Sequence, residues 1–108
     1  MNIKFVNEYL TNITWHENAS YQVEGLLKQS NQYYKFDIRY LNDFPEDKKG
    51  KLVNSKSQAD KVLFEDDQNW ILVDTQELIK YMKAYGLKEV KLEELIKNID
   101  WNIILPKK

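Results

Sequence analysis

The chain has 108 residues, 43% hydrophobic and 13% aromatic, with three Gly and two Pro. This composition argues against a disordered or fibrous polypeptide and suits one domain spanning 1–108. Sixteen basic and 17 acidic side chains leave a net charge of −1, and neither half is a charged tail, which weighs against both a strongly basic nucleic-acid binder and an acidic DNA mimic. There is no cysteine and one histidine, His16, so disulfides, thiolate metal sites, cysteine nucleophiles and two-histidine metal sites within one chain are excluded.

Met1 to Glu8 contains no apolar h-region, and no apolar run approaches 18 residues. The expectation is a soluble, cytoplasmic protein without membrane contact. Two glycosylation sequons, Asn12-Ile13-Thr14 and Asn18-Ala19-Ser20, are read as chance matches in that setting.

In chain order, Ile3, Phe5, Val6, Tyr9, Leu10 and Ile13 carry an apolar stripe that predicts a helix over residues 2–12. Trp15 to Ser20 reads as a polar connection. From Tyr21 the period changes to two: Tyr21, Val23, Gly25 and Leu27 against Gln22, Glu24, Leu26 and Lys28. After the turn-like Gln29-Ser30-Asn31-Gln32, alternation resumes with Tyr34, Phe36, Ile38 and Tyr40 facing the core and Tyr33, Lys35, Asp37 and Arg39 opposite. The two runs predict an antiparallel hairpin.

Asn42 to Ser57, with Pro45, Gly50 and the charge run Glu46-Asp47-Lys48-Lys49, reads as a mobile loop at the sheet rim. Val62–Glu65 and Trp70–Val73 flank the polar Asp66–Asn69 and predict a second hairpin with a solvated tip, Glu65-Asp66-Asp67. Asp74 and Glu77 suit an N-cap and capping-box pair, Leu78, Tyr81, Met82 and Tyr85 continue that helix, and Gly86 ends it. Leu92, Leu95, Ile96 and Ile99 form a core stripe, with a dimer interface as the other reading. Trp101 to Leu105 reads as an edge strand. The fold class is therefore α+β (mixed α/β): a central, mostly antiparallel sheet of about four strands flanked by an N-terminal helix and one or two C-terminal helices.

Hydroxyl-nucleophile triads and phosphate loops cannot be assembled from one histidine and the isolated Gly25, Gly50 and Gly86. The remaining constellation is acidic. A turn near Ser30–Asn31 puts Glu24 and Asp37 on neighbouring strands, almost opposite one another, with Lys35 and Arg39 on the same face as Asp37. Carboxylates are hard oxygen ligands, and two of them suit Mg²⁺ or Mn²⁺ completed by waters and phosphate oxygens. Such an ion activates water and polarises a phosphodiester, while a nearby cation steadies the developing charge. The plainer reading of Asp37 and Arg39 is an exposed ion pair contributing about 0–1 kcal/mol. Trp15, Trp70 and Trp101 read as core or core-edge side chains, His16 as a loop residue, and Asp60 as a turn or backbone hydrogen-bond partner.

Glu24-x₁₂-Asp37-Ile38-Arg39 resembles the acid…(D/E)-x-K core of the PD-(D/E)XK nuclease superfamily. Ser55–Phe64 followed by Trp70–Tyr81 resembles a stretch of its small phage and mobile-element members. The resemblance covers residues 1–85, leaving a C-terminal helix and edge segment at 86–108. It implies Glu24 and Asp37 as metal ligands and Arg39 at the catalytic lysine position, with Lys35 able to supply an amine from the other side. Arginine keeps its proton at any working pH and does not substitute freely for lysine. Two readings stay open. One is a metal-dependent deoxyribonuclease acting on DNA, as a homodimer if both strands are cut. The other is a non-catalytic phage or mobile-element protein that binds and inhibits a host defence or replication protein.

Overall fold

The computed structural model describes residues 3–17, 21–48, 50–54 and 57–107. The sequon Asn18-Ala19-Ser20, Lys49 of the charge run and Ser55-Lys56 of the resembling segment lie outside them. The architecture is mixed α+β. Helix α1 (Ile3–Tyr9) leads into strands β1 (Leu10–Trp15), β2 (Val23–Leu27) and β3 (Gln32–Tyr40), the last followed by a 3-10 turn at Leu41–Asp43. Short strands β4 (Glu46–Asp47) and β5 (Gly50–Val53) precede β6 (Lys61–Glu65), β7 (Asn69–Asp74) and helix α2 (Thr75–Ala84). The chain closes with β8 (Val90–Lys91), α3 (Leu92–Asn98) and β9 (Asn102–Pro106).

The main sheet has six strands, two more than the sequence suggests, in the order β1-β2-β3-β6-β7-β9. All neighbours are antiparallel except β3 and β6, which run parallel. A parallel pair requires a crossover of a dozen or more residues to return the chain to the starting end. Leu41 to Asp60 supplies it. That stretch is not simply a loop, because β4 and β5 form a small sheet with β8.

The N-terminal stripe resolves into a helix and a strand rather than one helix to residue 12. Thr11, Ile13 and Thr14 are β-branched and stiff, and from Leu10 the backbone pairs with β2. Its register slips between Thr11 and Thr14, where Asn12 takes a φ of 53°. The irregularity presses Ile13 onto β2: a Cβ on Gly25 would stand 3.0 Å from both Ile13 Cγ2 and the Thr11 carbonyl oxygen. Trp15 ends this strand and is 40% exposed, so it is no core residue. Trp70 is buried, and Trp101 packs part-buried at the core edge.

Alternation along the central strands divides the interior into two cores. Phe5, Val6 and Leu10 cover one face over Val23, Leu27, Phe36, Ile38, Leu63, Trp70 and Leu72. On the other face, Leu78 of α2 and Leu92, Leu95 and Ile99, in and just after α3, cover Val62, Phe64, Ile71 and Val73. Each fully buried Leu or Phe of this kind contributes about 1.5–3 kcal/mol relative to exposure. The second cover lies over β6 and β7, leaving the same face of β2 and β3 to polar side chains.

Asp74 caps α2 by accepting from the Glu77 amide at 3.0 Å. The reciprocal half of the capping box is replaced: Glu77 reaches β9's approach, accepting from the Asp100 and Trp101 amides at 3.0 and 2.8 Å. At the other end, Leu87 N–H donates to Met82 O and Gly86 N–H to Lys83 O. This Schellman pattern needs the left-handed residue that Gly86 supplies at φ 62°.

Two charged pairs sit where apolar side chains would be expected. Lys61, 5% exposed, places Nζ 2.7 Å from Asp74 Oδ1, 3.7 Å from the Trp101 ring centre and 4.6 Å from that of Tyr34. Glu65 is buried and meets Lys107 Nζ at 2.7 Å, so the solvated hairpin tip begins only at Asp66. That aspartate ties the turn by accepting from the Gln68 and Asn69 amides. Among the described residues no helix is long and apolar enough to cross a membrane.

Candidate functional site on the open face of β2 and β3

The β2–β3 hairpin forms as its alternation predicts, but its register moves the acids. Glu24 pairs with Lys35, and Val23 with Phe36. Asp37 is therefore a diagonal neighbour of Glu24 on the same face, a relation that spans roughly 7–8 Å in antiparallel ladders. The two carboxylates are not opposite one another. The turn falls one residue earlier than a Ser30–Asn31 centre, with Asn31 N–H returning to Leu27 O and Asn31 itself at φ 57°.

Asp37 has no exposed surface. Arg39 donates to it through a fork, Nε to Oδ1 at 2.9 Å and Nη2 to Oδ2 at 3.1 Å. The guanidinium is half exposed while its partner carboxylate is closed off, so this is not the exposed ion pair of the plainer sequence reading. The pair lies beside the parallel seam, Asp37 against Val62 of β6. Burial requires a charged carboxylate to be paired and hydrogen-bonded, and Arg39 meets that requirement at both oxygens.

Glu24 has different partners. Tyr33 donates its hydroxyl to Oε1 at 3.0 Å, and His16 brings Nε2 to 3.4 Å from Oε2. His16 rests edge-on against Tyr21 with ring centres 4.9 Å apart. Reading Trp15 to Ser20 as a connection hides this contact. Once β1 is a strand, alternation puts Thr14 and His16 on the Glu24 side, with Thr14 paired to Glu24. The Tyr33 phenol titrates above its ordinary value because burial of the hydroxyl penalises the phenolate and Glu24 holds the proton. Thr14 and Lys35 pull weakly the other way.

Lys35 points its ammonium toward Tyr21, 5.4 Å from the ring centre. Among the described residues it forms no salt bridge with Glu24 or Asp37. Its backbone is locked instead: Lys35 N–H donates to Asp60 Oδ2, and Asp60 N–H donates to Lys35 O. Asp60 thus has the backbone role its position suggests.

These donors do not fit a divalent cation as arranged. A hard cation needs open carboxylate oxygens, yet both oxygens of Asp37 hold a permanently protonated guanidinium, and Glu24 accepts from the Tyr33 hydroxyl at Oε1 with His16 Nε2 standing 3.4 Å from Oε2. Among the described residues no three His, Asp or Glu side chains converge as a ligand set. What the face offers is a row of oriented polar and aromatic groups. Tyr33 is 49% exposed, and Tyr40, on the opposite side of β3, is 40% exposed rather than in the core.

No family model, curated protein or solved structure was found to match this chain.

Proposed function

We propose that this chain is a non-catalytic interaction protein that presents the β1–β3 half of its sheet to a protein partner. The observation that carries the reading is the Arg39–Asp37 fork at a fully buried carboxylate. It turns the second acid of the nuclease-like pattern into a structural element. On the open face Tyr33 is 49% exposed and the Arg39 side chain is half exposed, and Tyr and Arg are among the residue types that supply most interface energy. The competing reading, a metal-dependent DNA nuclease, is favoured by Glu24, Lys35 and Asp37 sharing one face.

One experiment separates them. Mg²⁺ and Mn²⁺ are titrated calorimetrically into wild type and Asp37→Asn, and plasmid cleavage is assayed in the same buffers. The interaction reading expects neither metal-binding heat nor cutting. Metal binding and cleavage by wild type, both lost in a folded Asp37→Asn, would overturn it. A partner that binds wild type and Glu24→Gln equally but releases Tyr33→Ala would place the contact on the open face.

A further inference from the structure

A cleft of about 340 Å³ opens at the carboxyl end of β3, lined by Gln22, Ile38, Arg39, Tyr40, Asp43 and Phe44. It lies beyond the acids of the nuclease-like pattern. Its walls come from the end of β3, the 3-10 turn and Phe44 that follow it, and Gln22 ahead of β2. Its volume is within the range of small-molecule pockets, roughly 300–1,000 Å³.

The walls are fixed before any ligand arrives. Gln22 lies just before β2 yet continues the ladder with its side chain: Ile38 N–H donates to Oε1 at 2.8 Å, and Nε2 donates to Ile38 O at 3.4 Å. Phe44 packs edge-on to buried Phe64, ring centres 5.6 Å apart. Its backbone is held by Phe44 N–H to Leu41 O and by Lys51 Nζ donating to Phe44 O at 3.1 Å. Arg39 is oriented by Asp37 through Nε and Nη2, leaving Nη1 outside that fork.

We infer that this cleft binds a nucleotide: a planar ring against Phe44, an anionic group on Arg39 and a ring donor edge on Asp43. A buried carboxylate that aims an arginine makes it a preorganised anion receptor. The Asp43 carboxylate repels a bare anion but accepts from an amino or imino group. A simple phosphate therefore gains little, and a phosphate carried on a base with N–H donors gains at both ends. Free mononucleotides and the nucleotides of a single strand share this chemistry. The inference does not depend on a protein partner.

The test follows amide shifts in the ¹H–¹⁵N spectrum of the full chain. Adenosine, guanosine, cytidine and uridine 5′-monophosphates, inorganic phosphate and a short single-stranded oligonucleotide are titrated separately to millimolar concentration. Shifts at Gln22 and residues 38–44 with at least one nucleotide, and not with phosphate, are expected. Arg39→Gln should weaken that binding about tenfold or more, the size of one lost charge-assisted hydrogen bond. Because that variant strips a buried carboxylate of its partner, Phe44→Leu, which keeps an apolar contact with Phe64, and Asp43→Asn serve as cleft-surface variants that keep the fold, each expected to weaken binding severalfold. Response to the oligonucleotide alone, with the same residue dependence, supports the site and assigns it to a strand. No shift with any nucleotide overturns the inference. So does an equal response to phosphate, or unchanged affinity in both surface variants.

Discussion

Arg39 grips Asp37 through both carboxylate oxygens, at 2.9 and 3.1 Å, although only two residues separate them on one strand. The aspartate is closed to solvent and the arginine is half open. The energetic weight is therefore unequal. Losing the arginine leaves a buried charge without its partner, whereas losing the aspartate leaves a cation that water can reach.

Arg39→Ala should accordingly destabilise the fold by about 2–3 kcal/mol, discounted from the fully buried case because solvent reaches the guanidinium. Asp37→Asn keeps the shape and one acceptor, so it should cost about 1 kcal/mol. Urea denaturation of both variants checks the order. A smaller loss for Arg39→Ala than for Asp37→Asn would show that the pair is not held as described.

Lys61 and Asp74 form a second unequal pair. Asp74 also caps α2, so Asp74→Ala removes a cap and leaves a nearly buried ammonium unpaired, an expected loss of about 2–4 kcal/mol. Lys61→Met keeps the cap and places an apolar chain between Trp101 and Tyr34, and should cost less than half as much. Chemical denaturation of the two variants decides the comparison.

Glu77 ties α2 to the start of β9 through two backbone amides. Glu77→Ala leaves both without an acceptor, and a loss of about 1–3 kcal/mol is expected. Hydrogen exchange gives the local signature: the Asp100 and Trp101 amides should exchange faster than in wild type, while central β6 amides keep most of their protection.

Tyr33 provides a pH test. Its phenol is raised above the ordinary value of 10.0, first by burial and then by the hydrogen bond to Glu24. The folded state therefore holds the proton more tightly than the unfolded chain. Stability from this group is present in full below the unfolded value and is lost as pH rises through the folded one. Ultraviolet titration of wild type against Tyr33→Phe should show one phenol ionising late, and Glu24→Gln should bring it back toward the ordinary value.

Gly25 lies beneath the β1 irregularity, where an added methyl would meet the Thr11 carbonyl and Ile13 at 3.0 Å. The backbone carbonyl can yield only by moving β1. Gly25→Ala should lower stability by about 1–2 kcal/mol through that strain, read as a lower thermal midpoint.

Local order was legible where a segment's own period is enough to define it. Val23–Leu27 and Gln32–Tyr40 alternate, Asp74 and Gly86 bracket α2, and the Leu92, Leu95 and Ile99 stripe faces the core. The α+β class follows from that order of elements, and β9 follows from an apolar run before Pro106. The candidate site was legible as a set of residues sharing a face, but not as a geometry. His16 was missed because it becomes a neighbour of Glu24 only when Leu10–Trp15 pairs as a strand.

What the sequence by itself determined is therefore the alternation, the caps and the side of the sheet on which Glu24, Lys35, Asp37 and Arg39 lie. These depend on residues within a few positions of one another. Tertiary structure alone decided that the N-terminal stripe breaks at Tyr9, that β3 runs parallel to β6, that Glu24 faces Lys35, and that Asp37 is sealed beneath Arg39. Each depends on partners brought together across the sheet. Register and burial are properties of that pairing, and a segment's own period leaves them open.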